Sequence, residues 1–506
     1  MKESFPMTSA TNTTGTNYDS LYNIEFQVPY GLKAIHLVNQ EQMSINLAEL
    51  IAGFQIYESI HSKFVTGEIV FVDGINVPRL YRLTGQEFVR ISFNDGDDES
   101  NTYDLTFRAY KMCDQKRGHN GIMQGYKLLL CDPTMYKAQN RRISQVFSGS
   151  YSNMLKNVMT SNLDLSEEND LGVWEDTESE NCQFICPNWT PQKLMGYFTQ
   201  EADLSLNPAW RHGMFLYQTF DGKFNFKSID LMCNTNPDDI PQFIYKPTSG
   251  GLDAVDIEKK HILEVQRPLV FDTLKGTILG LYASSSLTYD SIRKVLKENV
   301  YNVEETLSRT NNHISGNPLL RTETSLNGNE LGLTTKDSTS AKKSPATEVV
   351  DKWTDIPPNL QKDSFVVYNY NNPHSNDNSS DVNSSEAFVN GKITNNSNLE
   401  RRALMELLKQ DMISIIVPVR TDVNVGEVID LKIPEPELQD ESSETKDKIN
   451  DNRYLIVNSV ITINNGRQQG SLHLECVKES FAKQITQEEL KNNIELSSKA
   501  FNVGDV

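Results

Sequence analysis

Residues 103–109 read Tyr-Asp-Leu-Thr-Phe-Arg-Ala, so apolar and polar side chains change places at every position. Residues 89–93, Val-Arg-Ile-Ser-Phe, follow the same pattern. An alternation with a period of two is typical of a strand that has one buried face and one solvated face. The first part of the chain is therefore predicted to be mostly β.

Further strands are predicted around this stretch, at residues 22–28, 53–59, 66–72 and 125–130. Turn-forming residues, such as Asp73-Gly74, stand between them. Five or six short antiparallel strands at this spacing indicate a barrel or a sandwich. One helix is expected to interrupt them over residues 44–50.

Beyond residue 132 the apolar residues recur at helical spacing, and two amphipathic helices are predicted, over 151–159 and 190–201. The second has a full start signal, with Thr190 as N-cap, Pro191 at the first helical position and Trp189 placed to pack on Leu194. Its buried face is predicted to be Leu194, Met195, Phe198 and Ala202.

An Asp221-Gly222 pair separates two alternating stretches, residues 215–220 and 223–227. This combination is a strong short-range signal for a β-hairpin. Together with the two helices it makes the second region α+β.

Residues 308–398 are rich in Ser, Thr, Asn, Lys and Gly. Such a segment buries too little apolar surface to offset its ordering entropy, so loops and partial disorder are expected. Residues 365–368, Phe-Val-Val-Tyr, are an apolar island that could dock as a strand. The segment is interpreted as an insertion within a domain.

The last region is predicted to be β again. A helix over 399–410, capped by Asn398, presents three leucines on one face, and four strands follow it, the last two as a hairpin around 464–466. The leucines are Leu404, Leu407 and Leu408; the strands are 413–417, 428–433, 453–463 and 470–477. The region resembles the first in class, but no tight sequence repeat links the two.

Composition limits the function. The chain has 506 residues with 48 Lys and Arg against 68 Asp and Glu, and 48 − 68 gives a net charge of −20. Such an excess of negative charge argues against nucleic acid or acidic lipid as the main ligand. Neither a signal peptide nor a transmembrane helix is expected from the sequence, and its six scattered cysteines are interpreted as reduced thiols.

No metal site is predicted. Cys182 and Cys186 are the only close cysteine pair, and neither His212 nor Cys233 supplies a second pair at zinc-site spacing. The acidic run Asn94–Glu99 does not have EF-hand spacing and is interpreted as a solvated hairpin tip.

No catalytic or cofactor-binding residue is predicted either. His61, His119 and His212 have no zinc-protease motif, Ser284–Ser286 lack the flanking glycines of a nucleophile elbow, and phosphate-binding glycine loops are absent. A carboxylate pair for glycoside cleavage stays an open alternative, since sequence spacing says nothing about distance across a site. The chain is expected not to be an enzyme.

Several stretches resemble the baseplate central hub proteins of contractile-tailed bacteriophages, the T-even type hub family. Residues 56–69 with 84–91 look like the first barrel of that family, and residues 187–191, Pro-Asn-Trp-Thr-Pro, are similar to its second domain. Residues 281–284 with 287–290 resemble a later segment. The closing pattern is similar to the family's second barrel; it comprises residues 417–418, 425–428, 454–457 and 472–476.

The resemblance implies a virion structural protein of the tail baseplate, made in the host bacterial cytoplasm. Such hubs are homotrimers in which two tail-tube-like barrels per chain form a ring of six. The ring adapts a six-fold tail tube to a three-fold central spike. The implied partners are the tail tube protein, the central spike protein, the baseplate wedge proteins and the tape measure protein, with DNA passing without specific binding and without membrane insertion.

The predicted fold is mainly β with α+β parts, two tube-like antiparallel barrels joined by an α+β domain, plus a polar insertion. The predicted domains are a polar tail (1–17), a first barrel (18–135), a connecting domain (136–229), a discontinuous second barrel (230–272 with 398–482), an inserted domain (273–397) and a second polar tail (483–506). The acidic surplus is hypothesised to line the ring channel, so that DNA passes without sticking.

Two alternatives stay open. The first is a hub-fused cell-wall hydrolase, for which the segment 308–398 has few apolar residues to form a catalytic core. The second is a spike-hub protein of a related contractile injection or secretion system. That alternative predicts a C-terminal β-helix or effector, whereas the sequence ends in a short polar stretch.

Overall fold

The structure is a computed structural model. The residues it describes are 31–38, 44–94, 102–118, 123–177, 182–202, 204, 213–236, 239–245, 260–269, 272–290, 294–303, 306, 365–371, 394–420, 422–433, 453–464 and 469–478. The predicted strand at 22–28 and both predicted polar tails lie outside these residues.

Strands dominate the fold, which is mainly β with α+β parts, as predicted. The strands are β1 (Gly31–Val38), β2 (Ser44–Asn46), β3 (Ile51–Ser59), β4 (Thr66–Asp73), β5 (Phe88–Asn94), β6 (Thr102–Arg117), β7 (Gln124–Cys131), β8 (Val146–Gly149), β9 (Leu171–Trp174), β10 (Cys182–Ile185), β11 (Met214–Gln218), β12 (Phe224–Ser228), β13 (Gln242–Ile244), β14 (Glu264–Leu269), β15 (Ala283–Asp290), β16 (Val295–Asn302), β17 (Val366–Asn371), β18 (Asp411–Pro418), β19 (Val428–Lys432), β20 (Arg453–Asn464) and β21 (Gln469–Lys478).

The helices are fewer among the described residues. They are α1 (Val77–Leu80), α2 (Pro133–Asn140), α3 (Tyr151–Asn157), α4 (Pro191–Glu201), α5 (Ile229–Cys233), α6 (Thr273–Ile278) and α7 (Thr394–Leu407). One π-helical turn, Val158–Asn162, extends α3.

The helix predicted over residues 44–50 is wrong. Ser44–Asn46 pair with β1 as a short strand, and only a 3-10 turn, Ala48–Leu50, follows. The Asn46 side chain accepts hydrogen bonds from the backbone N–H groups of Ile35 (3.3 Å) and Ala48 (3.1 Å). Asn side chains that bond to nearby backbone in this way compete with helix formation.

The largest sheet contains thirteen strands. Its main path runs β14-β18-β21-β20-β3-β4-β7-β6-β5-β1-β2, and β13 and β19 attach beside β20. Strands from both ends of the sequence therefore belong to one sheet, joined by the antiparallel pair β3–β20. Within the described residues this path is open, so closure into barrels stays a prediction, as do the domain boundaries.

The sheet consists of two units with the same connectivity. The first β unit is β1 with β3–β7, and the second β unit is β13, β14 and β18–β21. In the first unit the neighbours run β3-β4-β7-β6-β5-β1, and in the second they run β14-β18-β21-β20-β19-β13, in the same chain order. One pair differs, since β1–β5 is antiparallel and β13–β19 is parallel. The chain therefore repeats a topology that its sequence does not display.

A matching irregularity aligns the two units at one position. The ladder β6–β7 shifts register between Ala109 and Lys111, and β20–β21 shifts between Ile456 and Asn458. At this point Ala109 N donates to Glu87 O (2.9 Å), and Ile456 N donates to Glu427 O (3.0 Å). Bulges are specific features of a fold, so Ala109 is equivalent to Ile456.

The apolar alternation explains the core of both units. Val89, Ile91 and Phe93 of β5 are buried, as are their equivalents Ile429, Leu431 and Ile433. They belong to one hydrophobic cluster that extends through both β units. The predicted alternation at 89–93 and 103–109 thus places the apolar face of each strand in the shared interior.

The connecting region has its own core and sheet. Strands β11, β12 and β9 form a three-stranded sheet, and β8 pairs with β10 as a ribbon. Thr190 caps α4 by accepting from Lys193 N (3.3 Å), as predicted. Leu194, Met195, Phe198 and Ala202, the predicted face, are all buried. Trp189 packs its ring near Phe184 and Tyr197; its predicted contact with Leu194 stays a prediction.

Inserted between β14 and β18 is a third sheet, in the order β16-β15-β17. The island at 365–368 contributes to a strand, β17, as predicted, and β17 pairs in parallel with β15. Helix α7 begins at Thr394 rather than after a cap at Asn398, so Asn398 lies inside it. Leu404, Leu407 and Leu408 are buried as expected.

Candidate assembly junction

The β11–β12 hairpin lies where the connecting region meets both β units. Thr219 N donates to Lys223 O (3.0 Å), and Lys223 N donates to the Asp221 carboxylate (3.1 Å). Gly222 has φ +83°, which glycine adopts without strain. The predicted Asp-Gly hairpin is confirmed, and it contacts both β units.

Gln218 fixes the hairpin to the first β unit. Its Oε1 accepts from Val65 N (3.1 Å), and its Nε2 donates to Asp132 Oδ2 (2.9 Å) and to Gly222 O (3.1 Å). The side chain is buried. A buried amide with its hydrogen bonds made is costly to replace, so this residue orients the hairpin.

Glu58 connects three parts of the chain. It lies at the end of β3 and is only 2% exposed. Its Oε1 accepts from Phe220 N (3.1 Å) in the hairpin turn, and its Oε2 accepts from Val425 N (3.4 Å) in the second β unit. We call Glu58, Gln218, Phe220 and Val425 the junction.

Next to the junction, Tyr217 packs against Gly426. A Cβ at Gly426 would lie 2.3 Å from Tyr217 Oη, closer than any real contact, and Gly426 has φ +77°. Gly426 N donates to Ile456 O (2.9 Å). Glycine fits both the backbone conformation and the space here, so the hairpin and the second unit can approach each other closely at this position.

Arg401 of α7 binds the other end of the hairpin. Its Nη1 donates to Met214 O (2.8 Å), and its guanidinium lies 5.6 Å from the centre of the Phe215 ring. Burial lowers the pKa of Arg401 to about 10, against the opposing attraction of Glu201. The group therefore stays a cation at neutral pH.

Burial dominates the chemistry of the junction. It raises the pKa of Glu58 well above the ordinary value, although two backbone N–H donors act in the opposite direction, and Glu427 and Asp221 raise it further. Burial also raises the pKa of Glu427 and that of Tyr217. These groups hold three chain segments together and place no activated nucleophile against a base.

Two carboxylates in the stretches that resemble the hub proteins, Glu87 and Glu427, hydrogen-bond to the backbone of turns. Glu87, in Thr84-Gly85-Gln86-Glu87, accepts from the backbone N–H groups of Thr84 (2.6 Å), Gly85 (2.8 Å) and Gln86 (3.0 Å). Its equivalent Glu427 accepts from Asn424 N (3.3 Å). Each carboxylate closes the turn that leads into β5 or β19.

The cysteine and serine candidates lie in structural positions. Cys186 is buried and its thiol donates to Ile143 O (3.0 Å), whereas Cys182 is half-buried in β10. Ser284–Ser286 are buried within β15. A strand interior offers none of the exposed, strained turn geometry that an activated serine needs.

The other candidates are not brought together. His61 packs edge-on near Phe215, with ring centres 5.9 Å apart, and its pKa is lowered to about 4 by burial and by Lys409 and Arg401. His119, His212 and residues 95–99 lie outside the described residues. In the part of the chain that the structure describes, no group of three potential metal ligands occurs.

None of the helices within the described ranges has the length and apolar character needed to cross a membrane.

No family model matches the chain, and no curated protein matches it. Similar solved structures include a tail protein from Neisseria meningitidis MC58, at 9% identity and a TM-score of 0.44, with 89% of this chain and 97% of that chain covered. A 43 kDa tail protein of prophage MuSo2 from Shewanella oneidensis has 8% identity and a TM-score of 0.45, with coverages of 88% and 98%. A chain of the Francisella PdpA–VgrG complex has 9% identity and a TM-score of 0.43, with coverages of 93% and 62%.

These likenesses concern the fold alone and do not distinguish the hub family from the alternative of a spike-hub protein of a secretion system. All of these TM-scores lie below 0.5, so the function proposed below rests on the residues of this chain.

Sequence reasoning missed the junction. Glu58 and Gly426 both stand in motifs quoted for the resemblance, yet no local pattern says that one turn will contact the other across more than 350 residues. The available signal was the pair Gly85-x-Glu87 and Gly426-Glu427 before equivalent strands. At both places the carboxylate accepts from the backbone of the turn that leads into the strand.

Proposed function

We propose that the protein is a structural subunit of a phage tail baseplate and forms the central hub of a contractile tail. The observation that carries this proposal is the repeat: two β units of equal connectivity share one sheet within a single chain. Three chains supply six such units, the number that adapts a six-fold tail tube to a three-fold spike. The hub resemblance of the motif residues supports the same function.

The junction and the neighbouring Gly426 suit a subunit that must hold two partners in fixed positions. Gln218, Glu58 and Gly426 fix the connecting hairpin to both β units through buried hydrogen bonds and close packing. Buried, satisfied polar networks favour one arrangement of the units over others. A subunit that must keep tube and spike in register during tail contraction requires such fixed relative orientation.

The proposed partners follow from this position. One face of the ring holds the tail tube protein and the other holds the central spike protein, with baseplate wedge proteins around the rim and the tape measure protein within. DNA passes through without specific binding. The net charge of −20 per chain supports that view, because like charges keep DNA from adhering to the wall.

The experiment that tests the proposal is mass measurement of the full chain in solution, alone and with the spike protein. A hub gives a trimer alone or on addition of the spike. A chain that stays monomeric under both conditions contradicts the proposal. A monomer that binds the spike protein would support the proposed partner and contradict the proposed trimeric ring.

We also propose that the protein has no catalytic activity. Supporting this, the serine and cysteine candidates lie in strands and cores. Zymography on bacterial cell wall is the test, because a hydrolase leaves a cleared band. No clearing is expected at any loading that gives clearing with a control lysozyme.

A further inference from the structure

The pairing that joins the two β units uses one particular edge of β20. Strand β21 occupies one edge of β20 along Leu455–Asn464. On the other edge, β19 pairs with Arg453–Leu455, and β3 then pairs with Asn458–Asn464. The part of this β20 edge that β19 does not cover is thus paired with β3, a strand of the first β unit.

The equivalent strand of the first unit, β6, has the same edge uncovered. Strand β7 occupies one edge along Arg108–Arg117, and β5 pairs on the other edge only along Thr102–Arg108. From Tyr110 to Arg117, no strand of the described residues pairs on the β5 side. Tyr110 is 46% exposed and Met112 is 41% exposed.

The strand that would complete β6 also has an uncovered edge. Strand β14 is the equivalent of β3, which pairs with both β4 and β20. Strand β14 pairs with β18, and it ends the path of the described sheet. Both halves of a second β3–β20-type pairing therefore exist in one chain, at strands that do not meet each other.

We propose that β6 of one copy pairs antiparallel with β14 of a second copy, through the same type of pairing that β20 makes with β3 within the chain. The inference rests on the proposed trimeric hub and names its subunit interface. Such a contact is head-to-tail, so it closes into a ring when the rotation per chain divides a full turn. In that ring each first β unit lies between two second β units, and the same type of strand pairing joins it to both.

The equivalence also gives the register. Within the chain, Val460 is opposite Tyr57, Thr462 is opposite Gln55 and Ile463 is opposite Phe54. The ladder β6–β7 has a second register shift, between Cys113 and Lys116, which β20–β21 lacks, so the equivalents are taken through the partners on β7 and β21 and on β4 and β18. Transferring each residue in this way gives three pairs between copies. They are Cys113 opposite Leu269, Lys116 opposite Gln266, and Arg117 opposite Val265.

Charge and backbone chemistry agree with this register. The exposed part of β6 carries Lys111, Lys116 and Arg117 in a chain with net charge −20. In the transferred register Lys116 lies diagonally across from Glu264 of the second copy, within reach of long side chains. Pro268 falls in the register shift of β14 between Gln266 and Leu269, where a missing N–H costs the ladder least.

Disulfide cross-linking tests the interface. Lys116→Cys and Gln266→Cys are introduced together into the full chain, with the partly exposed Cys113 and Cys182 replaced by Ser. Mild oxidation is expected to give covalent dimers and trimers on a non-reducing gel, and reductant should remove them. The matched control combines Gln266→Cys with Ser44→Cys. Residue 44 lies on β2, at the opposite end of the sheet, so this variant is expected to run as a monomer on the non-reducing gel.

A second measurement keeps the test valid if cysteine disturbs folding. Glu264→Lys is expected to reduce the oligomer fraction at low salt, and Lys116→Glu added to it should restore the fraction. The interface is wrong if mass measurement shows an oligomer but residues 116 and 266 do not cross-link, or if residues 44 and 266 cross-link instead. Either result leaves the proposed hub function unaffected. A chain that is monomeric under all conditions overturns both, and cross-linked species of another copy number support the interface but not the three-fold ring.

Discussion

Glu58 links pH to stability through its burial. Because its pKa is raised in the folded state, the folded chain holds this proton at pH values where an unfolded glutamate, with a pKa of about 4.3, has lost it. The contribution to stability is complete below that value. It is lost as the pH rises from there through the folded pKa, with a slope of up to about 1.4 kcal/mol per pH unit.

Replacing Glu58 by Gln is therefore expected to remove this pH dependence. The amide keeps the shape and an acceptor but has no charge to desolvate. We expect Glu58→Gln to be at least as stable as the parent at pH 8 and to gain less on acidification. Urea unfolding at several pH values between 5 and 8 measures the difference, and parallel curves for the two proteins would show that Glu58 does not titrate in this way.

Gly426 offers a test of close packing. Gly426→Ala places a methyl group on Tyr217 Oη and forces a left-handed alanine. We expect a loss of about 1–2 kcal/mol for the backbone and a further loss of about 1–3 kcal/mol for the overlap. The free energy of unfolding by urea titration measures the sum.

Gly222 is the matched control for Gly426. It has a similar φ, +83° against +77°, but nothing lies within 4 Å of its built Cβ. Gly222→Ala should therefore show only the backbone cost. Equal losses at the two positions would mean that Tyr217 moves aside at little cost.

At the scale of single residues the sequence predicts local roles well and distant contacts poorly. Thr190 as cap and Gly222 as turn residue could be predicted, because the residues that define these roles are neighbours in the chain. The bond from Val425 N to Glu58 could not, because each residue is unremarkable in its own segment. Only folding brings the two turns together.

Among the elements, the carboxylates that close the two equivalent turns before β5 and β19 should contribute different amounts to the free energy of unfolding. Glu87 accepts three backbone N–H bonds and one from Thr84 Oγ1 (3.1 Å), while Glu427 accepts a bond from Asn424 N. We expect Glu87→Gln to cost about 2–4 kcal/mol and Glu427→Gln about 1 kcal/mol. Thermal unfolding of the two variants side by side measures the order, and a larger loss at Glu427 would contradict it.

Most strands could be predicted because alternation is a local property. The stretches at 53–59, 66–72, 453–463 and 470–477 are all strands within a residue or two of the predicted bounds. The repeat of the β unit could not be predicted, because a core position requires only an apolar side chain. Tyr126 of β7 and its equivalent Leu472 of β21, for example, are both buried. Equal topology therefore leaves little trace in residue identity.

The elements where prediction failed share a physical cause. Residues 44–50 have helical apolar spacing, but pairing with β1 and the Asn46 side-chain bonds favour a strand and a short turn. Helix α7 starts earlier than Asn398, because a polar turn can extend a helix whose later residues are anchored in the core. Tertiary contacts override weak local preferences in both places.

For the whole molecule, the repeat determines how many β units and how much charge three chains bring together. Each chain carries two β units of equal connectivity and a charge of −20, so three chains carry six units and three times −20, or −60. On the proposed ring that charge surrounds a passage for DNA, whose own charge is negative. The within-chain pairing β3–β20 and the proposed pairing β6–β14 would alternate around it.

Electron microscopy of the assembled protein, viewed along its axis, tests this ring most directly. We expect particles with three-fold symmetry in which six similar β units surround an open channel, each joined to its neighbours edge to edge. We also expect an acidic wall on the fitted channel. Particles with one or two chains, a filament that does not close, or a closed ring with a basic channel would contradict this expectation.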